Sequence, residues 1–323
     1  MPPQEFAVIE KEIEMKIEMH LFDDYKATAI NCLRHLVARG LRVRGFPNGE
    51  MPSDDWFNAN GLSYLSEYCH RRIVPRPRKV CECSSFSCPE DLNHEYLKIV
   101  DEITKGADLS NRQTYYIDKI GCTDSLLNEW GLHHLHFSKR NGDKWEVNED
   151  RLLYVYVTDE TVYVVRVGRH DDFENIDLVA ELNKDYPNLF PHLRGAEKTN
   201  RRTNESVKEF RGANINVIDV LDDGALAGLG GGMGLNGTSL SAYAEICHDR
   251  RRLDCAEKVI ADKFRDMAKQ QFPNRPDIYN RTSICLKLTY MDEDKVVLKC
   301  EELRLKVGLR DKGQEMRLRM VLY

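Results

Sequence analysis

The chain has 323 residues, 41% of them hydrophobic and 31% charged, with a formal net charge of −6 at pH 7. This length can bury a substantial core, and the composition is ordinary for a globular protein. No apolar run approaches the roughly 18 residues of a membrane span, and we expect no signal peptide, because four glutamates lie between Glu10 and Glu18. The net charge argues against nucleic-acid binding by the whole surface, although a local basic groove remains compatible with it.

Because we expect the chain not to be exported, we also expect its ten cysteines to be free thiols in a reducing cytoplasm. Cys81, Cys83 and Cys88 have poor spacing for a structural zinc site, which usually shows two paired elements. No matching pair follows them, and whether these thiols bind a metal stays open.

The first part of the chain is expected to be mainly helical. The apolar positions of residues 6–21 fit a strand and a helix equally well, and both assignments stay open. Apolar periodicity predicts helices over residues 23–39, 61–72 and 90–105, with loop composition over 45–60. Residues 71–79 predict an extended basic segment in which Arg76, Arg78 and Lys79 are candidates for following a phosphate backbone. Solubility or a contact with an acidic patch of the same chain is the alternative.

Residues 131–175 carry the sharpest signal of the chain. Residues 132–137, 151–157 and 161–167 predict three successive strands, because Val, Leu and Tyr dominate the second and third. The turn at 158–160 is short enough to require an antiparallel hairpin. A helix ending at Trp130 and Gly131 leads into this sheet, and a second helix with period 3.6 follows it to Pro187.

The last part of the chain begins with a polar, basic stretch over residues 194–213. This stretch predicts a mobile connector or a phosphate-facing loop, with Arg201 and Arg202 as candidates for nucleic-acid binding. A strand over 214–221, a glycine-rich run over 224–237, a long helix and a β-meander are expected to follow. The glycine run has the outline of a phosphate-binding loop but has Thr238 where the lysine belongs, so a connector is favoured, with Thr238 or Ser239 capping the next helix.

The histidines of the first central strand are the first candidate site. Alternate side chains of a strand share a face, so His134 and His136 are expected to project together, opposite Leu135. Their Cα atoms would lie about 6.6 Å apart. That spacing suits two imidazoles acting on one substrate or two ligands of a metal ion. The alternative is a packed, hydrogen-bonded histidine cluster with no catalytic role.

Basic residues at the ends of the other two strands extend this candidate site. Arg151 opens the second strand, while Arg169 and His170 follow the third, so the antiparallel order could bring them onto one surface. Imidazoles and guanidinium groups together provide the base, the acid and the charge stabilisation of metal-independent phosphodiester transesterification. Alternatively, the two arginines pair with neighbouring aspartates at the surface, which contributes little.

Residues 131–137, 151–156 and 162–173 together resemble the sheet of RelE/ParE-type toxins. The resemblance implies a helix-plus-antiparallel-sheet ribonuclease of the RelE, barnase and EndoU kind, in a setting of growth arrest or phage defence. The resemblance implies that Arg151 is the phosphate-contacting arginine and that His170 or Arg169 belongs to the catalytic turn. These two residues stand in the reverse of the order found in the family. Phe173 stands where these enzymes often have a functional tyrosine, and His134 and His136 lie on a strand that is usually basic.

We therefore expect an α+β protein with a helical N-terminal part packed on a central antiparallel sheet and a second α+β region ending in a β-meander. The expected domains are residues 1–193, with the core at 131–175, and 214–323, joined by the connector 194–213. The expected function is a metal-independent endoribonuclease in the cytoplasm that needs no cofactor and acts on RNA. The alternatives are a non-catalytic interaction or regulatory protein that uses the same sheet as a binding surface, and a metal-dependent hydrolase built on His134, His136 and His170. The expected partner is RNA, free or on the ribosome, or a protein regulator. An oligomer is compatible with either, and no membrane contact is expected.

Overall fold

The computed structural model describes residues 15–47, 49–146, 150–190, 202–221, 224, 226–234, 237–292, 294–312 and 315–323. Its helices are α1 (Leu21–Ala38), α2 (Asp54–His70), α3 (Asn93–Lys105), α4 (Ser125–Trp130), α5 (Asp177–Asp185), α6 (Asn204–Gly212), α7 (Leu240–Gln271) and α8 (Pro276–Tyr279). Short 3₁₀ turns cover Glu90–Leu92, Tyr115–Asp118, His170–Asp172 and Pro187–Leu189.

The strands are β1 (Lys16–Glu18), β2 (Arg42–Val43), β3 (Lys79–Glu82), β4 (Lys119–Ile120), β5 (Leu132–His136), β6 (Arg140–Asn141), β7 (Lys144–Trp145), β8 (Arg151–Val157), β9 (Thr161–Arg169), β10 (Asp219–Val220), β11 (Leu226–Ala227), β12 (Ser283–Cys285), β13 (Lys287–Met291), β14 (Lys295–Cys300), β15 (Leu305–Lys312) and β16 (Glu315–Leu322). Helices and several sheets are present, so the α+β class expected from the sequence is confirmed. No described helix has both the length and the apolar character needed to cross a bilayer.

The chain divides into two compact units, Ile30–Ile246 and the combination of Met1–Ala29 with Cys247–Tyr323. The divisions fall inside α1 and α7, not in the connector predicted at 194–213. Part of that connector, 204–212, is the helix α6, whose Val207 and Arg211 are buried. Domain boundaries are recognised in a sequence by loop-forming residues. The middle of a continuous helix contains none, so the sequence does not indicate these two divisions.

The central sheet of the unit Ile30–Ile246 has the strand order β3-β9-β8-β5. The three predicted strands pair antiparallel, with His134 opposite Tyr154 and Arg151 opposite Arg169. The sequence prediction missed β3, which adds parallel to β9 as an edge strand. Proline is tolerated next to an edge strand, which explains why the segment containing Pro75 and Pro77 can lead into the sheet.

The two faces of the central sheet are covered by different helices. One face, with Leu152 and Tyr154, packs against Leu178 and Leu182 of α5. The other face, with Leu153, packs against Ile99 and other apolar residues of α3 and its surroundings. Because both faces are buried, the strands are nearly continuous apolar runs, and this is what made them predictable.

Glycines in the left-handed region end two of the helices that the sequence predicted. Gly106 stops α3 at φ 71°, and Gly131 stops α4 at φ 69°. Helix α2 is longer than expected and includes residues assigned to a loop. It begins at Asp54 because the Ser53 side chain accepts a hydrogen bond from the Trp56 amide.

The unit that contains residues 247–323 is built around α7 and a four-stranded antiparallel meander, β13-β14-β15-β16. Leu253, Ile260 and Phe264 of α7 form a core with Leu298 and Val307 of the sheet. The sequence predicted three strands here, with one of them over 296–305. The chain instead turns at Glu301–Arg304, which separates β14 from β15. A separate strand pair, β1 with β12, is parallel.

Candidate functional site

Strand β5 places two histidines on the same face of the central sheet. His134 and His136 alternate with Leu135, which is fully buried on the α3 side. The two histidines are themselves 8% and 5% exposed. The sequence prediction that they project together is therefore matched by the geometry, and each is held on a rigid strand.

His170 is brought to the same face by the end of β9. The turn after the strand is fixed by two hydrogen bonds: the Tyr154 hydroxyl donates to the Arg169 carbonyl at 2.5 Å, and the Arg169 amide donates to the Asp172 carboxylate at 2.8 Å. Gly168 makes this packing possible, because a Cβ at that position would lie 2.5 Å from Oδ2 of Asp172.

The three imidazoles converge. The ring centroids of His134 and His136 are 5.8 Å apart. The ring centroid of His170 lies 6.1 Å from that of His134 and 5.4 Å from that of His136. One nitrogen from each ring lies within 4.8 Å of one nitrogen from each of the others. We compared all described histidines, cysteines and carboxylates in groups of three or more. His134, His136 and His170 are the group whose possible ligand atoms lie this close together.

The histidines open into a cavity of about 350 Å³. Its walls include aromatic side chains: Trp145 stacks on His136 with ring centroids 3.8 Å apart, and Phe173 lies 4.9 Å from His134. Asp124 is the acidic residue among the described side chains of the lining. Its carboxylate is held in place by accepting the Leu127 amide at 3.1 Å, as the N-cap of α4.

Asp150 is a second carboxylate beside the cluster. Its Oδ1 lies 3.5 Å from Nδ1 of His170. In metal sites the ring nitrogen that does not bind the ion commonly faces a carboxylate, which fixes the tautomer and raises the basicity of the ligand. Asp150 occupies that position relative to His170.

Burial lowers the pKa of the two strand histidines. The pKa of His136 falls to about 3, chiefly because burial penalises the charged form and further because His134 and His170 are close. Burial is also the main cause of the lowered pKa of His134. At neutral pH both rings are therefore uncharged, and a neutral imidazole is the form that binds a metal.

The two arginines predicted for this site do not line the cavity. Arg151 alternates with Leu152 and points to the α3 side, where it pairs with Asp91 at 2.6 Å. Arg169 pairs with Asp150 at 3.5 Å. Arg71 does line the cavity, but its guanidinium donates to the main-chain carbonyls of Tyr116, Cys122 and Lys119.

Three of the five residues predicted to bind nucleic acid have structural partners. Arg78 is buried and donates to the Thr158 carbonyl at 2.7 Å, and Arg76 pairs with Asp159 at 2.8 Å. Lys79 is exposed at the start of β3. Arg202 is bound by Glu129 and Asp219 at 2.6 and 2.5 Å. Arg201 lies outside the described residues.

The cysteines of the 81–88 segment do not form a described metal cluster. Cys83 is buried, and burial raises the pKa of its thiol to about 12. Such a thiol stays protonated at neutral pH, whereas a metal binds the thiolate. Sequence reasoning missed Trp145, Asp124 and the contact of Asp150 with His170, since all three are brought to the histidines by folding and not by spacing.

No protein-family model matches this sequence, and neither a curated protein nor a solved structure shows significant similarity to it. The resemblance of residues 131–175 to RelE/ParE-type toxins stays a prediction. The fold and the site define an α+β protein with a cluster of three histidines in an open cavity.

Proposed function

We propose that the chain binds one divalent transition-metal ion, Zn²⁺ in the first instance, through His134, His136 and His170, and uses it for hydrolysis. The observation that carries this proposal is the convergence of three imidazole nitrogens, all within 4.8 Å of one another, at an open cavity. A metal-dependent hydrolase built on these three histidines was one alternative that the sequence left open.

The donor set suits a catalytic ion. Zinc binds imidazole nitrogen at about 2.0–2.1 Å, and a tetrahedral site then requires roughly 3.4 Å between the nitrogens. On binding, the three nitrogens, now within 4.8 Å of one another, would have to close to that distance. Three protein ligands leave the fourth position for water, as in catalytic zinc sites, whereas structural sites use four protein ligands. The cavity that the three histidines line would give a substrate access to such a site.

The chemistry then follows from the ion and its neighbours. A bound divalent ion lowers the pKa of its water to about 7 and polarises the oxygen of a carbonyl or phosphoryl group. The Asp124 carboxylate, in the same cavity, would accept the proton that such a water loses. Asp124 would then return this proton to the leaving group as the water oxygen bonds to the electrophilic carbon or phosphorus and the bond to the leaving group breaks. A cavity of about 350 Å³ accommodates a small molecule or one unit of a polymer.

The placement of the arginines favours this proposal over the metal-independent ribonuclease. Transesterification without a metal needs a guanidinium or ammonium group at the phosphate. Arg151 points to the other side of the sheet, and the donors of Arg71 are taken by carbonyl groups. A metal ion would supply the missing positive charge.

The test is a cobalt titration of the full-length protein after removal of metal with a chelator. We expect one Co²⁺ per chain, with visible d–d bands but without the thiolate charge-transfer band that cysteine ligands produce. Quenching of Trp145 fluorescence should follow the same curve, since this ring stacks on His136. The H134A/H170A double variant should lose the signal, whereas H94A, which removes an exposed histidine of α3, should retain it.

The same protein preparations separate the competing functions. Zn²⁺-loaded protein should hydrolyse p-nitrophenyl acetate or bis(p-nitrophenyl) phosphate, and the chelator should abolish this activity. RNA cleavage that persists in the chelator would support the metal-independent ribonuclease instead. Failure to bind cobalt, in protein whose circular dichroism shows it folded, would leave the histidines as packing residues and would overturn the proposal.

A further inference from the structure

The solvent-facing side of the meander β13-β14-β15-β16 is strongly basic. Along each strand, residues that face the α7 core, such as Leu298 and Val307, alternate with residues that face solvent. The basic residues on the solvent-facing side, called here the basic sheet face, are Lys287, Lys295, Lys299, Lys306, Arg310 and Arg319. Five of them are exposed and Lys299 is half-buried.

The strand register places several of these charges directly opposite one another. Lys299 lies opposite both Lys287 on one side and Lys306 on the other, and Lys295 lies opposite Arg310. Like charges in directly opposed positions destabilise a sheet. Solubility does not require this arrangement, because a surface with both positive and negative side chains is soluble without this repulsion. The repulsion is relieved when an anion lies across the rows.

Two carboxylates at the edge of the basic sheet face, Asp292 and Glu301, accept hydrogen bonds from the hydroxyl groups of Tyr290 and Tyr323, each at 2.7 Å. Among its described side chains none is acidic, and no ion pair joins any of the six basic groups to a described carboxylate. This occurs in a chain whose net charge is −6. The positive charge is therefore concentrated here, and electrostatic attraction of a polyanion depends on this local concentration.

Exposed aromatic rings accompany the charges. Tyr290 on β13 is 52% exposed, and Tyr323, directly after β16, is 45% exposed. The ammonium groups of Lys299 and Lys306 lie 5.3 and 5.1 Å from the centre of the Tyr323 ring. Unpaired bases stack on such rings while the phosphates meet the neighbouring lysines. In a duplex the bases are already stacked on one another and are unavailable to tyrosine.

We infer that the basic sheet face binds single-stranded nucleic acid, with its phosphates along the Lys287–Lys299–Lys306 row and a base on Tyr323. The inference concerns the unit that contains residues 247–323 and does not rest on the proposed metal site. It also differs from the nucleic-acid contacts predicted from the sequence, which involved residues between Arg76 and Arg202. Recognition is by charge and stacking, so it tolerates different sequences.

The test uses the full chain and fluorescein-labelled oligo(U), oligo(dT) and a blunt duplex of equal length, by fluorescence anisotropy. The wild type should bind the single strands more tightly than the duplex, and its affinity should fall as salt rises. K299Q/K306Q should weaken binding at least ten-fold and reduce the slope of log K against log salt by about 1.4, or roughly 0.7 for each lost contact. Y323L should weaken binding about five-fold or more with the salt slope unchanged.

Matched controls protect this test against loss of structure. K98Q/K105Q removes two exposed lysines of α3 and should bind like the wild type. K299Q/K306Q removes a repulsive pair, so its thermal midpoint should not fall. Three results would overturn the inference: no binding at low salt, unchanged affinity in K299Q/K306Q, or a preference for the duplex or for anionic lipid vesicles over oligo(U).

Discussion

At the scale of single residues, the position of His170 depends on the carboxylate of Asp150. From the sequence, neighbouring aspartates were expected only as surface ion-pair partners of the arginines. Asp150 lies 3.5 Å from Nδ1 of His170 and also 3.5 Å from a guanidinium nitrogen of Arg169. Its value as an ion-pair partner is small, because both groups are exposed. Its value as the group that orients a ligand imidazole is larger, because ring orientation determines where the second nitrogen points.

Replacement of Asp150 should therefore weaken metal binding without unfolding the protein. We expect D150A to lower the affinity for Zn²⁺ by about 10- to 100-fold. Competition with a chromophoric chelator measures the change. The control is D159A, which removes an exposed aspartate at the other end of β9 that pairs with Arg76. Equal zinc affinities for D150A and wild type would show that Asp150 does not orient His170.

Glu67 provides a prediction about pH at the same scale. Burial in α2 raises the pKa of its carboxyl group, against the opposing effects of a 3.0 Å hydrogen bond from the Ser239 amide and the charge of Arg71. The folded state thus holds this proton more tightly than the unfolded state does. Stability from this group is present below the unfolded pKa of about 4.3 and is lost as pH rises through the folded pKa.

The E67Q variant should remove this loss, because glutamine keeps the acceptor for the Ser239 amide without a charge. Its gain in unfolding free energy relative to wild type should grow as pH rises through the folded pKa of Glu67 and then level off. Urea unfolding from pH 4 to pH 8 measures the difference. E50Q, at an exposed loop position, serves as the control. A difference between E67Q and wild type that stays constant with pH would contradict the assignment.

At the scale of elements, the end of β9 is the part that connects the fold to the site. Gly168 lies opposite Leu152, and a Cβ there would meet Asp172 Oδ2 at 2.5 Å and Tyr154 Cε2 at 2.9 Å. Tyr154 is fully buried and cannot retreat. The strain would therefore be relieved by moving Asp172, which bonds the Arg169 amide and thereby fixes the turn that carries His170.

We expect G168A to destabilise the protein by about 1–3 kcal/mol, as overpacking does in general, and to lower zinc affinity together with stability. Thermal unfolding and a chelator competition on the same sample provide both values. G212A is the matched control, since a Cβ at Gly212 would have no neighbour within 4 Å and the residue closes an exposed helix end. If G168A is as stable as G212A, the close packing described here is wrong.

The sequence predicted the elements whose signals are local. The apolar run of 151–157 gave the bounds of β8, and the glycines after α3 and α4 gave their ends. The edge strand β3 escaped detection because its pairing with β9 depends on a parallel contact across about 80 residues of chain. Helix α2 was predicted too short because Asn, Asp and Ser near its start resemble loop chemistry and act here as a first turn with its cap.

The candidate site was predictable to the extent that it follows strand alternation. Period two placed His134 and His136 on one face, and the hairpin register brought His170 near them. The same period puts Arg151 on the face of Leu153, away from the histidines, but no local pattern indicates which face of the sheet holds the cavity. Trp145 and Asp124 reach the site from a separate hairpin and a helix N-cap, and long-range packing of this kind leaves no spacing signature.

At the scale of the whole molecule, the two compact units carry different chemistry. The unit Ile30–Ile246 contains the three histidines, and the basic sheet face belongs to the other unit. A net charge of −6 averages over both and conceals the positive face. The composition therefore correctly excluded a surface that is basic throughout, but it gave no information about a basic patch on one sheet.

A ligand that binds only the folded state stabilises it by mass action. Zn²⁺ at 100 times its dissociation constant should add about 2.7 kcal/mol to the unfolding free energy of the unit that contains the histidines. Differential scanning calorimetry should show a rise in one transition, and the H134A/H170A variant should show none. K299Q/K306Q should respond to zinc like the wild type. A zinc effect that persists in H134A/H170A would locate the ion elsewhere.

X-ray absorption at the zinc edge on stoichiometrically loaded protein tests the metal proposal most directly. We expect one ion per chain, imidazole nitrogens from His134, His136 and His170 at about 2.0–2.1 Å, and no sulfur at about 2.3 Å. The pattern should be lost in H134A/H170A. A shell dominated by sulfur, or protein that retains no zinc at all, would contradict it.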